Sequence, residues 1–414
     1  MGALVLAALS AGGQTAGADR DANWKADLEF MRAGLSAKGD RLDKANGKLS
    51  IGQKDIETLY PGFATSIDSI EARAPALTDS ESVFELMRLW AAAGVEHNAL
   101  RLPKDMGFEK LLPVSLIWYS DELAVESATA PYESALGARV LRVGSMTPAE
   151  LLKAAAPYIA HQNETWLRGQ VCNYAKHAVF WKQLGLMQAD GTVTMTLQKA
   201  GGEPFEVTMA AVDGTVPRKS MASALGIPVQ LAQSQSRKNC WFQYLVDSKA
   251  LYLQYDVCYE DKDLPFAQFL EQVFAATDAN PVSRFVIDLR WNGGGDSELI
   301  RPLIKGLEKR KKKIGNLEVL IGEGTFSSAV LDAVDLRQEL HATLIGEPTG
   351  GAQAGYGDVQ TLTLPHSKVV VVFTTKYIGK PQDAAVLAPD MVVPLLLRDK
   401  LAGRDTVLEA ALGR

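Results

Sequence analysis

Three stretches, 285–290 (FVIDLR), 317–322 (LEVLIG) and 342–347 (ATLIGE), are apolar at nearly every position. A strand with one face in water alternates apolar and polar residues. A strand apolar along its length is buried on both faces, as in parallel sheets. The segments between the three carry helical spacing: Leu299, Ile300, Leu303, Ile304 and Leu307 in one, Val330, Leu331 and Val334 in the other. Strand, helix, strand, helix, strand predicts an α/β core with a mainly parallel sheet covered on both sides. Right-handed crossovers bring the carboxyl ends of its strands to one edge, where open parallel sheets carry their sites.

The turns at the strand ends therefore matter most. After the first strand comes Trp291-Asn292-Gly293-Gly294-Gly295-Asp296, after the second Glu323-Gly324-Thr325-Phe326-Ser327-Ser328-Ala329, and after the third Glu347-Pro348-Thr349-Gly350-Gly351. The triple glycine leaves main-chain N–H groups unshielded and can receive an oxyanion, or it is a tight turn only. No Walker lysine or GxGxxG spacing accompanies it. Ser327 stands between a buried strand and a helix. It reads either as a nucleophile on a strand-to-helix elbow, though without GxSxG, or as a helix N-cap.

The 414 residues are enough for two or three domains. Residues 1–18 hold an apolar stretch from Ala3 to Ala8 and end Ala16-Gly17-Ala18. This has the form of an export signal without a basic start, the alternative being an Ala-rich terminus; export would make the protein secreted or periplasmic. Residues 19–105 form a predicted helical domain. Trp24, Leu28, Met31 and Leu35 share a face, and Thr78 with Glu81 forms a capping box ahead of Val83, Leu86, Met87 and Trp90. Within 106–215, strands at 114–119, 123–126 and 140–143, a helix opened by Thr147-Pro148, and a hairpin across Gly201-Gly202 resemble a PDZ domain with a helical insertion near 157–186 that holds His161 and His177. Residues 216–414 form the α/β core.

A net charge of −6 with no dominant basic stripe argues against nucleic acid as main partner. The longest apolar runs, such as 369–373, fall far short of the ~18–20 residues that span a bilayer. Cys172, Cys240 and Cys258 form no CxxC pair, so no structural zinc site is expected. Cys240 and Cys258 flank a predicted hairpin turning at 247–249, and either a disulfide or two buried thiols suits them.

The series DLRWNGGG, GEGTFSSA and GEPTGG, with GVEHNALRLP upstream and LAPDMVVP and GRDTVLEAAL at the end, resembles the C-terminal processing peptidases, or tail-specific proteases. That family includes the tricorn core protease and the interphotoreceptor retinoid-binding proteins. The resemblance covers roughly 240–410 and implies a ClpP/crotonase-like core. It places Ser327 as nucleophile. One or two amides of Gly293 and Gly294, with the amide of Ser328, would form the oxyanion hole. Where the lysine-dependent branch has its base, this chain has Ala352. The tricorn-like branch takes a histidine from the upstream segment, and His97 matches it, preceded by Glu96 where that branch has serine. Asp383 and Asp390 are candidates for a late acidic residue, and Lys376 is an alternative base. His341 and His366 are expected at the surface.

A serine hydroxyl needs a base within reach, and a histidine suits both halves of acyl transfer. The resemblance thus implies a serine peptidase acting on peptides or protein C-termini, needing no cofactor. Its rival is a non-catalytic protein on the same fold binding a peptide or apolar ligand. Acyl-CoA chemistry of the crotonase kind rests on fold analogy alone.

Overall fold

The computed structural model describes residues 6–36, 60–103, 105–120, 122–234, 238–374 and 376–414, with side chains from residue 19 onward except Gln233. The chain opens with helices α1 (Leu6–Ser36), α2 (Phe63–Arg73) and α3 (Asp79–Ala92). Trp24, Leu28, Met31 and Leu35 on α1 are buried with Phe63, Ile67 and Ile70 of α2 and Val83, Leu86, Met87 and Trp90 of α3. The Thr78–Glu81 capping box is formed: the Thr78 hydroxyl accepts from the Glu81 amide, and the Glu81 carboxylate accepts from the Thr78 amide. The helical reading of 37–59 and the first five residues of the expected leader lie outside the described residues.

Strand β1 (Ala99–Arg101) comes next. Then β2 (Val114–Tyr119), β3 (Glu122–Ala128), β4 (Arg139–Val143), β5 (Thr192–Gln198) and β6 (Phe205–Ala210) pair antiparallel in chain order. Helices α4 (Pro148–Ala155), α5 (Glu164–Tyr174) and α6 (Ala178–Gln183) lie between β4 and β5. His161 and His177, expected on helices, sit at helix boundaries instead. Each ring's Nδ1 is tied to a main-chain carbonyl, of Ile159 at 2.6 Å and of Phe108 at 2.7 Å.

The second half forms a six-stranded sheet: β7 (Cys240–Leu245), β8 (Ala250–Tyr255), β9 (Val282–Asp288), β10 (Ile314–Ile321), β11 (Thr343–Gly346) and, after intervening strands, Met391–Val392 at the edge. Only β7–β8 is antiparallel; every other pair is parallel. Successive residues point to opposite faces. Phe285 and Ile287 join one core with helices α7 (Phe266–Ala279), α8 (Arg301–Lys309) and α9 (Ser328–Leu340), while Val286 joins another with Val407 and Leu408 of helix α10 (Thr406–Ala411). The strands are thus apolar throughout because both faces are covered. Helix α8 begins at Arg301, with Pro302 in its first turn, so Leu299 and Ile300 belong to the preceding turn.

The expected hairpin forms, but Cys240 lies opposite Tyr255. Cys258 falls beyond the paired strand, and both cysteines are free thiols. The disulfide reading is therefore corrected by register.

After β11 come β12 (Gly355–Gly357), β13 (Gln360–Thr363), β14 (Val370–Phe373) and β15 (Lys376–Ile378). Strand β1 pairs antiparallel with β14, Ala99 opposite Val372. This pairing carries residues near 97 across the chain to the carboxyl edge of the main sheet. Among the described residues no helix is long and apolar enough to cross a membrane.

Candidate active site

At the end of β10 the chain makes a turn bound on several sides. The Thr325 hydroxyl donates to the Leu289 carbonyl (2.8 Å) and accepts from the Gly322 amide (3.0 Å). The Phe326 amide donates to the Asn292 carbonyl at 2.9 Å, and the Gly351 amide to the Thr325 carbonyl at 3.2 Å. All three strand-end loops are therefore joined through this turn. It delivers Ser327 to the head of α9 with φ 55° and ψ −126°, and the side chain makes no capping hydrogen bond. A non-glycine residue held there costs on the order of 1–3 kcal/mol. Ser327 occupies the N-cap position without capping, in the strained geometry of an elbow.

The glycine loop lies directly against it. A β-carbon on Gly294 would come within 2.7 Å of Ser327 Cβ and 2.8 Å of the Ser328 nitrogen, and Gly294 has φ 93°, so only glycine fits. The Gly294 amide donates to Asn292 Oδ1 at 2.9 Å. Of the two glycine amides expected among the oxyanion donors, that of Gly294 is thus engaged within the loop. Gly293 is exposed and faces open space. The Ser328 hydroxyl donates to the Gly295 carbonyl at 2.6 Å, fastening α9 to the loop. Gly293, Gly294, Ser327, Ser328 and His97 all line one cleft of about 990 Å³.

His97 stands in a turn closed by the Asn98 amide donating to the Val95 carbonyl (2.9 Å). Buried Asn98 anchors that turn. Its Nδ2 donates to the Tyr60 hydroxyl (2.8 Å) and its Oδ1 accepts from the Thr374 amide (3.1 Å). The imidazole lies 4.6 Å from the Phe326 ring, centre to centre, and Trp166 of α5 stacks on the same phenyl ring at 3.8 Å. Both ring nitrogens of His97 are buried without a hydrogen-bond partner, so none joins the ring to Ser327. Burial pushes its pKa down from 6.5 to about 4. The imidazole therefore rests neutral against the Phe326 ring.

Glu96 does not orient His97. Its Oε1 accepts from the Ala352 amide (3.2 Å) and its Oε2 from Asn163 Nδ2 (3.5 Å). In a turn, adjacent side chains diverge. Burial raises its pKa to about 7, against the opposing effect of the Ala352 amide. Asp383 and Asp390 do not line the cleft. Asp390 instead accepts from the Leu344 amide near the amino end of β11, away from the loops. Lys376 lies exposed on the cleft rim, 3.6 Å from Asp358. His341 and His366 are exposed, as expected.

The two neighbours at 96 and 97 titrate in opposite senses. His97, lowered on folding, favours the native state at high pH, and that stability is lost as pH falls from 6.5 towards 4. Glu96, raised on folding, favours the native state at low pH, and that stability is lost as pH rises from 4.5 towards 7. Each effect is on the order of 3 kcal/mol, and they offset each other where they overlap. Relative to wild type, Glu96→Gln should therefore lose stability steeply between pH 6.5 and 4, measured as the urea midpoint across pH. A variant curve parallel to wild type would contradict this assignment.

Three features carried no recognised signal in the sequence. Asn292, wholly buried, donates through Nδ2 to the Tyr255 carbonyl (2.8 Å) and so holds the glycine loop from beneath. Trp166 comes from the insertion between β4 and β5. Arg290 is buried between Asp288 and Asp405 under the loops. Asn292 and Arg290 belong to the DLRWNGGG string, where a polar residue between an apolar strand and three glycines was the available clue.

No family model matches the sequence, and no curated protein matches it. Among solved structures the chain is similar to mature CPAF complexed with lactacystin, with 13% identity and a TM-score of 0.62 over 95% of this chain and 98% of that one. It is also similar to mature CPAF by itself, with 14% identity and a TM-score of 0.61 over 95% and 97%. A fainter likeness is to the photosystem II D1 C-terminal processing protease, with 13% identity and a TM-score of 0.38 over 92% and 98%. At these identities the likeness to CPAF establishes a shared fold running through almost the whole chain.

Proposed function

We propose that the chain is a serine peptidase of the C-terminal processing (tail-specific) family. It would hydrolyse peptide bonds of peptides or protein C-termini through an acyl-enzyme on Ser327, with His97 as general base in the tricorn-like manner. The observation that carries this reading is Ser327 itself, strained, uncapped and facing a cleft against a loop only glycine can form. An N-cap serine has no need of that conformation. The fold shared with CPAF, a protein whose structure contains lactacystin, supports the same reading. Residues 216–414 serve as a ClpP/crotonase-like core, 19–105 as a helical domain supplying His97, and 106–215 as a PDZ-like part able to add a peptide as an edge strand.

In this mechanism the imidazole turns off Phe326 to accept the Ser327 proton as the hydroxyl attacks the scissile carbonyl. The amides of Gly293 and Ser328 donate to the developing oxyanion, the loss of one such donor costing ~3 kcal/mol. The imidazolium returns its proton to the leaving amine, and water then resolves the ester. Catalytic hydrogen bonds often tighten only once substrate is bound.

A fluorophosphonate probe is expected to label Ser327, mapped by mass spectrometry, and lactacystin to compete with it. His97→Ala should fold and lose labelling. Because His97 is neutral down to pH about 4, the acid limb of kcat/KM should fall near that value and not near 6.5. Folded protein unlabelled from pH 5 to 9 would instead mark a binding protein on this fold.

A further inference from the structure

Behind the glycine loop lies a set of buried polar groups that the proposed chemistry does not use. Cys258 clasps the loop with its main chain: its amide donates to the Gly294 carbonyl (3.0 Å), and its carbonyl accepts from the Asp296 amide (2.8 Å). A β-carbon on Gly295 would fall 2.3 Å from that carbonyl oxygen, so the contact is as close as glycine permits. The Cys258 side chain points the other way, into the core. Its sulfur lies 3.4 Å from Asn292 Oδ1 and 3.3 Å from Asp332 Oδ2. Asp332 stands on α9, the helix that Ser327 heads, and is fully buried; its other carboxyl oxygen has no partner, and the buried Tyr255 hydroxyl lies beside the same thiol.

Proton counting limits the arrangements open to this chain. The amide oxygen Oδ1 of Asn292 can only accept, and it already accepts from Gly294. A thiol carries one proton. One arrangement satisfies both sulfur contacts at once: the thiol donates to Asn292 and accepts from a protonated Asp332 carboxyl; with Asp332 ionised the thiol donates to the carboxylate instead. Burial favours the protonated carboxyl, raising the Asp332 pKa to about 8.

We propose that Cys258 and Asp332 are positioning residues, a carboxyl–thiol–amide chain that locks the oxyanion loop to the helix carrying the nucleophile. The loop is thus tied to α9 twice, by the Ser328 hydroxyl on the cleft side and by Asp332 and Cys258 on the core side. Asn292, held at the end of the chain, keeps the Gly294 amide turned inward and so leaves the Gly293 amide facing the cleft. The role in rate rests on the peptidase reading above; the geometry of the tie does not.

The test uses the full chain with Cys258→Ala, Cys258→Ser, Asp332→Leu and Asp332→Asn. Two readouts are taken: the rate of fluorophosphonate labelling at Ser327 with kcat and KM for a peptide, and the amide resonances of Gly293 and Gly294 in glycine-labelled protein. Cys258→Ala and Asp332→Leu should slow labelling and kcat by about 10–100-fold, as a misplaced site does, with KM little changed and both resonances displaced. Cys258→Ser and Asp332→Asn each keep a donor in place and should recover most of the rate. Should Cys258→Ala not fold, the Asp332 pair decides alone. Unchanged rates and unmoved resonances in the Ala and Leu variants overturn the proposal. Resonances displaced in a protein whose wild type never labels support the tie and overturn the peptidase reading.

Discussion

Ser327→Gly protein is expected to be inactive yet more stable than Ser327→Ala. Both remove the hydroxyl on which the proposed acyl transfer depends, and loss of a serine nucleophile costs at least ~10⁴-fold in rate. The two differ in the backbone. Alanine keeps a β-carbon at φ 55°, whereas glycine enters that region freely. Because the serine side chain caps nothing, its removal forfeits no hydrogen bond to the helix. Glycine should therefore exceed alanine by ~0.5–1 kcal/mol, the relieved strain being reduced by the greater freedom of the unfolded chain. Urea unfolding of the two variants with a peptidase assay measures both effects. Glycine less stable than alanine would mean that the elbow is not strained, and hydrolysis surviving in either variant would remove Ser327 from the chemistry.

The largest loss of stability is expected at Arg290. Its guanidinium is 3% exposed and donates to Asp288 Oδ2 (2.7 Å), Asp405 Oδ1 (2.7 Å) and Asp405 Oδ2 (2.8 Å). Burial alone would raise the Asp405 carboxyl; Arg290 outweighs it and holds the pKa below its usual value. Asp405 in turn caps α10 through the Leu408 amide (3.1 Å). Arg290→Met fills much of the space but strands two buried carboxylates, at a cost of ~3–5 kcal/mol near pH 7. The stabilisation of Asp405 is present above its unfolded pKa and lost as pH falls through the lower folded value. In the variant burial acts on the Asp405 carboxyl without the Arg290 counterweight, so its deficit should shrink as pH falls towards 4. Denaturation at pH 7 and pH 5 tests this; a deficit equal at both would point to packing alone. Activity should fall too, since a β-carbon on Gly324 would lie 2.6 Å from the Arg290 carbonyl, which sets this arginine at the base of both loops.

Much of the fold was legible because each signal was local. Strands apolar at nearly every position require cover on both faces, and Thr78–Glu81 and Thr147–Glu150 meet their own amides. The site was legible only as far as strand ends share an edge. That Ser327, Gly293 and Gly294 line one cleft follows from that rule, and their proposed roles come from the resemblance to a peptidase family. The contacts of Asn292, Trp166, Cys258 and Asp332 do not follow from the rule, because each depends on a partner remote in the chain.

By itself the sequence determined the buried parallel sheet, the glycine and serine turns at its carboxyl edge, and the capped helices around them, since periodicity and turn chemistry act over a few residues. Tertiary structure alone decided that β1 pairs with β14 and so carries His97 to Phe326. It also decided that Glu96 binds Ala352 in place of the imidazole, and that the Gly294 amide turns inward to Asn292. Those outcomes depend on long-range pairing and on competition among buried donors for few acceptors, neither of which leaves a periodic trace.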